Sequence, residues 1–400
     1  MQVSNDFVFE EGFVRKAHVF IMVMLLLWGL STSRLAGAGK SLADFYRTGK
    51  IRFNSELTID ETSLPKDVFL EMVSYLAFDS LGNVYIVDSQ AKNIKKFDAA
   101  GKFIKAIGRQ GQGPGEFAYP YLGAVTQDRL IVWDFMSQRF PLFSLDGEFI
   151  KAVQHSRENG SPKGMKALPD GNIVLELEKT NFQDFNKPQD CLIWIYSPEM
   201  MPVKILYTHP VLRNKYMRIE NSLTNIPQPF SPSVHWEVLA GGNLVIGFSD
   251  KYELEIYNPG SGKTASFTRP FEPVKVTDED KKAFFAGMSY SRGGTVSRGA
   301  PDHIVKNTEF PRTKPAFDHV LTDPEGNILL HLPRASKEDE SRLFDAFAPD
   351  GKFIATVRIE GDAPSFFSLF LDVNARAFWC PKAADDGTYR VIKYKIAEAE

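Results

Sequence analysis

Short alternating or β-branched runs, each ended by Gly, Asp or Asn, fill most of the chain beyond residue 50. Phe78-Asp79-Ser80-Leu81-Gly82-Asn83-Val84-Tyr85-Ile86-Val87-Asp88 contains one turn and one β-branched run. Residues 93–98 and 101–108 follow with the same character, and a strand ending at Phe78 precedes them. Alternation with a period of two, bounded by turn residues, predicts strands. The stretch therefore reads as an antiparallel meander of four.

The pattern returns along the chain. Leu130-Ile131-Val132-Trp133-Asp134 opens a second copy, and Asp170-Gly171-Asn172-Ile173-Val174-Leu175 marks a third. Gly242-Asn243-Leu244-Val245-Ile246 and Gly326-Asn327-Ile328-Leu329-Leu330 mark a fourth and a fifth. A degenerate sixth holds Ala375-Arg376-Ala377-Phe378-Trp379 and then Tyr389-Arg390-Val391-Ile392-Lys393-Tyr394. Copies of four short strands every ~40–50 residues are the signature of a β-propeller. Six blades are predicted, at about 70–117, 118–155, 160–208, 232–269, 316–360 and 366–398. The strand-like segment 50–59 has no blade of its own. It is expected to close the ring as the outer strand of the last blade, because an unpaired edge would template aggregation. The fold class is all-β: a six-bladed propeller closed by an N-terminal strand, with a short helix in an insertion.

The first residues follow a different pattern. Arg15 and Lys16 precede an apolar run at 17–30, and Ala36-Gly37-Ala38 follows. The run is shorter than the ~20 residues of a membrane span and suits a signal-peptide core. Residues 1–38 are expected to be a signal peptide cleaved before Gly39, with an uncleaved anchor as the alternative. Residues 39–400 then form a single propeller domain, secreted or held in the periplasm or cell envelope, without a stable membrane span.

Composition narrows the partners. Lys+Arg 47 against Asp+Glu 50 gives a formal charge of −3, which argues against nucleic acid. Two cysteines exclude a disulfide framework; Cys191 and Cys380 read as buried small apolar residues. Two glycine-rich runs imitate a phosphate loop, Gly37-Ala38-Gly39-Lys40-Ser41 and Gly260-Ser261-Gly262-Lys263-Thr264. Where that motif needs its first glycine they have Arg34 and Tyr257, so neither qualifies.

Gly108-Arg109-Gln110-Gly111-Gln112-Gly113-Pro114-Gly115-Glu116-Phe117 resembles the connector between blades of NHL-type six-bladed propellers, and Asp88, Ile94 and Phe97 resemble positions of that family's blade. Ala91 and Asn93 stand where that blade has Asn and Arg. The resemblance implies the architecture. Its superfamily includes binding platforms as well as lyases and lactonases with a channel metal, and fold alone does not choose among them.

Two insertions interrupt the copies, at about 208–233 and 270–314. The second opens with Thr277-Asp278-Glu279-Asp280, a capped helix start, and continues through 289–299 as a polar loop. Aligning the copies on Asn83, Arg129, Asn172, Asn243 and Asn327 and counting back eight residues gives Tyr75, Tyr121, Gly164, His235 and His319. Innermost strands line a propeller's channel, so these residues are expected at its mouth, with His235 and His319 in adjacent blades. Asp88 and Asp134 end second strands on the same face, as does the weaker candidate His331; each Asp reads either as a ligand contact or as a turn cap accepting backbone N–H groups of the next loop. The candidate binding set is thus Tyr75, Tyr121, His235, His319, Asp88 and Asp134, with no metal or cofactor assigned. The function expected is a scaffold binding a protein or small molecule at the channel mouth. The alternative is a channel-sited metal-dependent lyase or lactone hydrolase.

Overall fold

A computed structural model describes residues 40–399 apart from 180–183, 185, 213, 220–221, 293–294, 336–341, 363, 366–367 and 385–386. The expected signal peptide lies outside the described residues.

Six four-stranded antiparallel blades surround a hub. Blades 1 to 4 span 73–107, 120–154, 161–211 and 234–268, each with its strands in chain order from hub to rim. Blade 5 spans 319–360, and blade 6 combines 370–398 with Lys50–Ile59 as its outermost strand. Ile51 through Ile59 pair antiparallel with Glu398 back to Val391, so the N-terminal strand closes the ring as its sequence predicts. One further contact was not predicted. Lys50, Ile51 and Arg52 also pair in parallel with Arg358, Ile359 and Glu360, so one strand joins the rims of blades 5 and 6. Helix α1 (Leu42–Arg47) leads into it, capped by Ser41 and fastened where Tyr46 donates a hydrogen bond to Asp323 at 2.8 Å.

The apolar core is divided among the seams between blades. Trp133 and Phe140 of blade 2 meet Met165 and Leu175 of blade 3, and Phe344 and Val357 of blade 5 meet Phe53 and Phe378 of blade 6. Each blade buries both faces, so its second strand is nearly continuous in apolar residues, as in Val84–Asp88 and Leu244–Phe248. The connector 108–117 belongs to such a seam. Gly108 has φ +72°, and a Cβ there would lie 2.3 Å from the buried Phe117 ring. Cys191 and Cys380 are buried and not joined in a disulfide. Among the described residues no helix is long and apolar enough to cross a membrane.

The insertions hold more structure than their sequence suggested. The first carries a hairpin of Asn214–Ile219 and Ser222–Pro227. The second carries helix α2 (Asp278–Ala286), with the expected Thr277 cap, and helix α3 (Asp302–Asn307). The segment expected as a polar loop pairs instead as Ser289–Arg292 with Thr295–Arg298. The overlooked signal was Gly293-Gly294 between two four-residue arms, a two-residue hairpin spacing.

Candidate functional site

The register-matched residues do not all reach the hub mouth. Tyr75 crosses the hub instead: its hydroxyl donates to the Met165 carbonyl of blade 3 at 2.5 Å, and its ring packs edge-on against Phe370 of blade 6, centroids 5.0 Å apart. Gly164 leaves room for Trp236, whose ring a Cβ would meet at 3.2 Å. Tyr121 is a correction. It is 41% exposed and stacks on Tyr119. The hairpin turn of blade 2, between Val125 and Leu130, is one residue shorter than the turn of blade 1 between Phe78 and Val84. The structural equivalent of Tyr75 is therefore the buried Leu122, because a one-residue slip exchanges the two faces of a strand.

Asp88 and Asp134 sit on the expected face but are fully buried and engaged by the fold. Asp88 accepts backbone N–H groups from Glu71, Met72 and Ala91 and the Lys95 ammonium, all at 2.8–3.1 Å. Burial pushes its carboxyl up, but Lys95 and the N–H donors outweigh that and hold it below the usual range. Asp134 accepts from the backbones of Ala118 and Tyr119. Both caps are occupied by the loops they fasten, so neither carboxylate faces a ligand.

The histidines are drawn together. His235 and His319 are edge-on with centroids 6.1 Å apart, and His319 pairs in register with His331. Burial first, then His235, Lys166 and His331, lowers His319 to about 3, so its ring is neutral at physiological pH. His331 Nδ1 lies 2.9 Å from Asp318 Oδ1. Among the described residues no group of three or more His, Cys, Asp or Glu is arranged to hold a metal ion. His235 and His319 thus meet without, among the described residues, the third ligand that a catalytic centre of the zinc type needs.

Above these histidines opens a cleft of about 750 Å³, between blades 4 and 5 and beneath the insertions. Its floor holds His235, Phe317 and His331, and α2 supplies Ala283 and Phe284 to its wall. The two insertions form one cap. Phe310 contacts Phe230, Phe284 and Phe285 with centroids 5.5–6.3 Å apart, and Lys215 pairs with Glu309 at 2.7 Å. A chain of polar contacts joins cap to blade. Asp280 receives the Thr277 backbone on one oxygen and Lys314 Nζ on the other, and Lys314 also donates to the Arg334 carbonyl at 2.9 Å. Burial raises the Asp280 carboxyl, but Lys314 and Thr277 outweigh it and hold it below its ordinary range. Helix α1 lies across the molecule, against the Asp323–Asn327 turn on the face where the innermost strands end.

Residues 62–190 match the model of a family described as a 6-bladed beta-propeller. That match begins just ahead of blade 1 and ends within blade 3. No curated protein matches the chain. Among solved structures, the chain is similar over 88% of its length to a Bacteroides fragilis protein described as exported, covering 95% of it at 10% identity with a TM-score of 0.50. It is also similar over 88% of its length to a member of the DUF4221 family from Bacteroides vulgatus, covering 99% of it at 13% identity with a TM-score of 0.50. At these identities the likeness shows the fold.

Sequence reasoning found His235, His319 and, as a weaker candidate, His331. It missed Phe317 and Asp318, which immediately precede His319, and it missed Lys314, Arg334 and Arg342. Phe317-Asp318 could have been found by extending the alignment one step past the strand. No local signal marks the cations.

Proposed function

We propose that this chain is an exported, NHL-like propeller that binds a small molecule in the cleft between blades 4 and 5. The observation that carries the reading is the cleft itself: about 750 Å³, floored by Phe317, His235 and His331 and roofed by a cap that the repeat does not need. Small-molecule sites commonly measure ~300–1,000 Å³ and combine apolar walls with a few fixed polar groups. The connector 108–117 supports the NHL-like kinship. The apolar run 17–30 and Ala36-Gly37-Ala38 support export. The mature chain is expected to begin at Gly39, and intact mass measured on protein recovered from the host envelope checks it; retention of residues 1–38 speaks for an anchor.

Ala283 lines the cleft from α2 and is only half-buried. Ala283→Trp should fill the cleft while leaving the blades intact. In a thermal-shift screen of a mixed small-molecule library, some compounds are expected to raise the Tm of the native chain by several degrees and leave this variant unmoved. A library that moves neither protein, or moves both equally, removes the cleft from consideration. The alternative reading, a channel-sited metal-dependent lyase or lactone hydrolase, draws on the closeness of His235 and His319 alone.

A further inference from the structure

We infer that the cleft selects an organic anion: a flat apolar body carrying a carboxylate, held at its head by Arg334 and along its body by Phe230, Phe284 and Phe317. This rests on the cleft being the binding site and adds the chemistry it accepts.

The inference comes from which charges in the cleft are already satisfied. Two carboxylates line it, Asp280 and Asp318. Asp280 is engaged by Lys314 and the Thr277 cap, and Asp318 by His331. Of the cations, Lys314 is buried and its ammonium is consumed by Asp280 and the Arg334 carbonyl. Arg334 differs. Its backbone is fixed by that bond from Lys314, yet its guanidinium has no hydrogen-bond or ion-pair partner among the described residues. Arg342, on the same cleft, adds a second guanidinium. Both carboxylates of the lining thus already hold partners within the protein, while a guanidinium on an anchored backbone is left over. A guanidinium presents paired donors that match a carboxylate.

The rest of the lining fits the other end of such a molecule. Phe230 and Phe284 come from the cap, and Phe317, fully buried, comes from the segment that leads into blade 5. Gly247 makes room for that ring, since a Cβ there would lie 2.9 Å from Phe317 Cζ. Pro315, Pro333 and Pro364 stiffen the rim. An aromatic wall with a cation at one edge favours a ligand with a π-face and an anionic head over a sugar or a metal complex.

The test uses two probes of the same shape, 2-naphthoate and its neutral amide 2-naphthamide, titrated calorimetrically into the 39–400 chain. The acid is expected to bind about tenfold more tightly than the amide, the margin of one hydrogen-bonded ion pair at a partly solvated site. Arg334→Ala is expected to erase most of that margin while leaving the amide's affinity unchanged. Phe284→Ala should weaken both probes, and Ala283→Trp should abolish both. Equal binding of acid and amide overturns the anion selectivity and leaves the cleft reading standing. An unchanged margin in Arg334→Ala overturns it too. Binding that survives Ala283→Trp places the probes elsewhere and takes both readings down. Failure of both probes to bind the native chain overturns this inference, and the library screen then decides the cleft.

Discussion

A chain lacking residues 40–59 is expected to lose cooperative unfolding altogether. Those residues form α1 and the outer strand of blade 6, and their loss acts at three places. It exposes the whole third strand of blade 6, Tyr389–Glu398, as an open edge. It removes the parallel joint between the rims of blades 5 and 6. It also strips the seam core of Tyr46, Ile51, Phe53 and Ile59, all buried. Burying one large apolar side chain contributes about 1.5–3 kcal/mol, so the four together contribute roughly 6–12 kcal/mol. That is comparable to the ~5–15 kcal/mol by which a whole domain is stable. Removing only 40–47 should instead lower the Tm and preserve a single transition, because the strand still closes the ring. Circular dichroism melts of both truncations, with a synthetic 40–59 peptide added back to the longer one, check this. A longer truncation that still melts sharply within a few degrees of the full chain would show that blades 5 and 6 hold without their clasp.

Replacing Asp88 with alanine is expected to cost about 3–5 kcal/mol, the usual penalty for orphaning a buried ion. The Lys95 ammonium it pairs with is 3% exposed, and Asn93 Oδ1 alone would be left to meet it. Three backbone N–H groups would lose their acceptor as well. The double substitution Asp88→Ala with Lys95→Met should recover much of the loss, since it removes the stranded charge. Neither variant should alter probe binding in the cleft, which separates a cap from a ligand contact. The pH dependence follows from the same carboxyl. Its folded pKa lies below the unfolded value of ~3.9, so its contribution is complete above that pH and disappears as acid titrates through the folded value. His319 acts in the same direction at higher pH. Its ring is held to about 3 against an ordinary ~6.5, so stability declines as pH falls from near 6.5 toward 3. Urea midpoints between pH 7 and 3 should therefore fall steadily in the native chain. In Asp88→Ala the portion below about pH 4 should flatten and the portion above it should persist. A native chain equally stable at pH 7 and 4 would contradict the His319 assignment, and one whose stability is flat below pH 4 would contradict that of Asp88.

The blades were legible because their evidence is local. Alternation, a β-branched run and an Asp-to-Asn turn each occupy a few adjacent residues. The turn chemistry is visible in the structure, where Asp79 and Asp323 each accept N–H groups two and four residues on. The same locality explains the error at Tyr121. Counting back from a turn assumes that all turns are equally long, and the one before Leu130 is a residue short. Asp88 could be read as a turn cap from its place at the end of a strand, but the sequence could not show that Lys95 also occupies it.

From the order of its residues alone, this chain determined a ring of six sheets, the strand that closes it, the capped helix of its second insertion and the pair His235 and His319. Each depends on neighbours in sequence or on a repeat that places equivalent positions in equivalent surroundings. Only the tertiary structure decided where a ligand could sit. The cleft arises where Phe230 meets Phe310, Lys215 meets Glu309 and Lys314 reaches both Asp280 and the Arg334 carbonyl. Those contacts join distant segments outside the repeat. Their partners are selected by packing and charge across space, and no spacing along the chain records them.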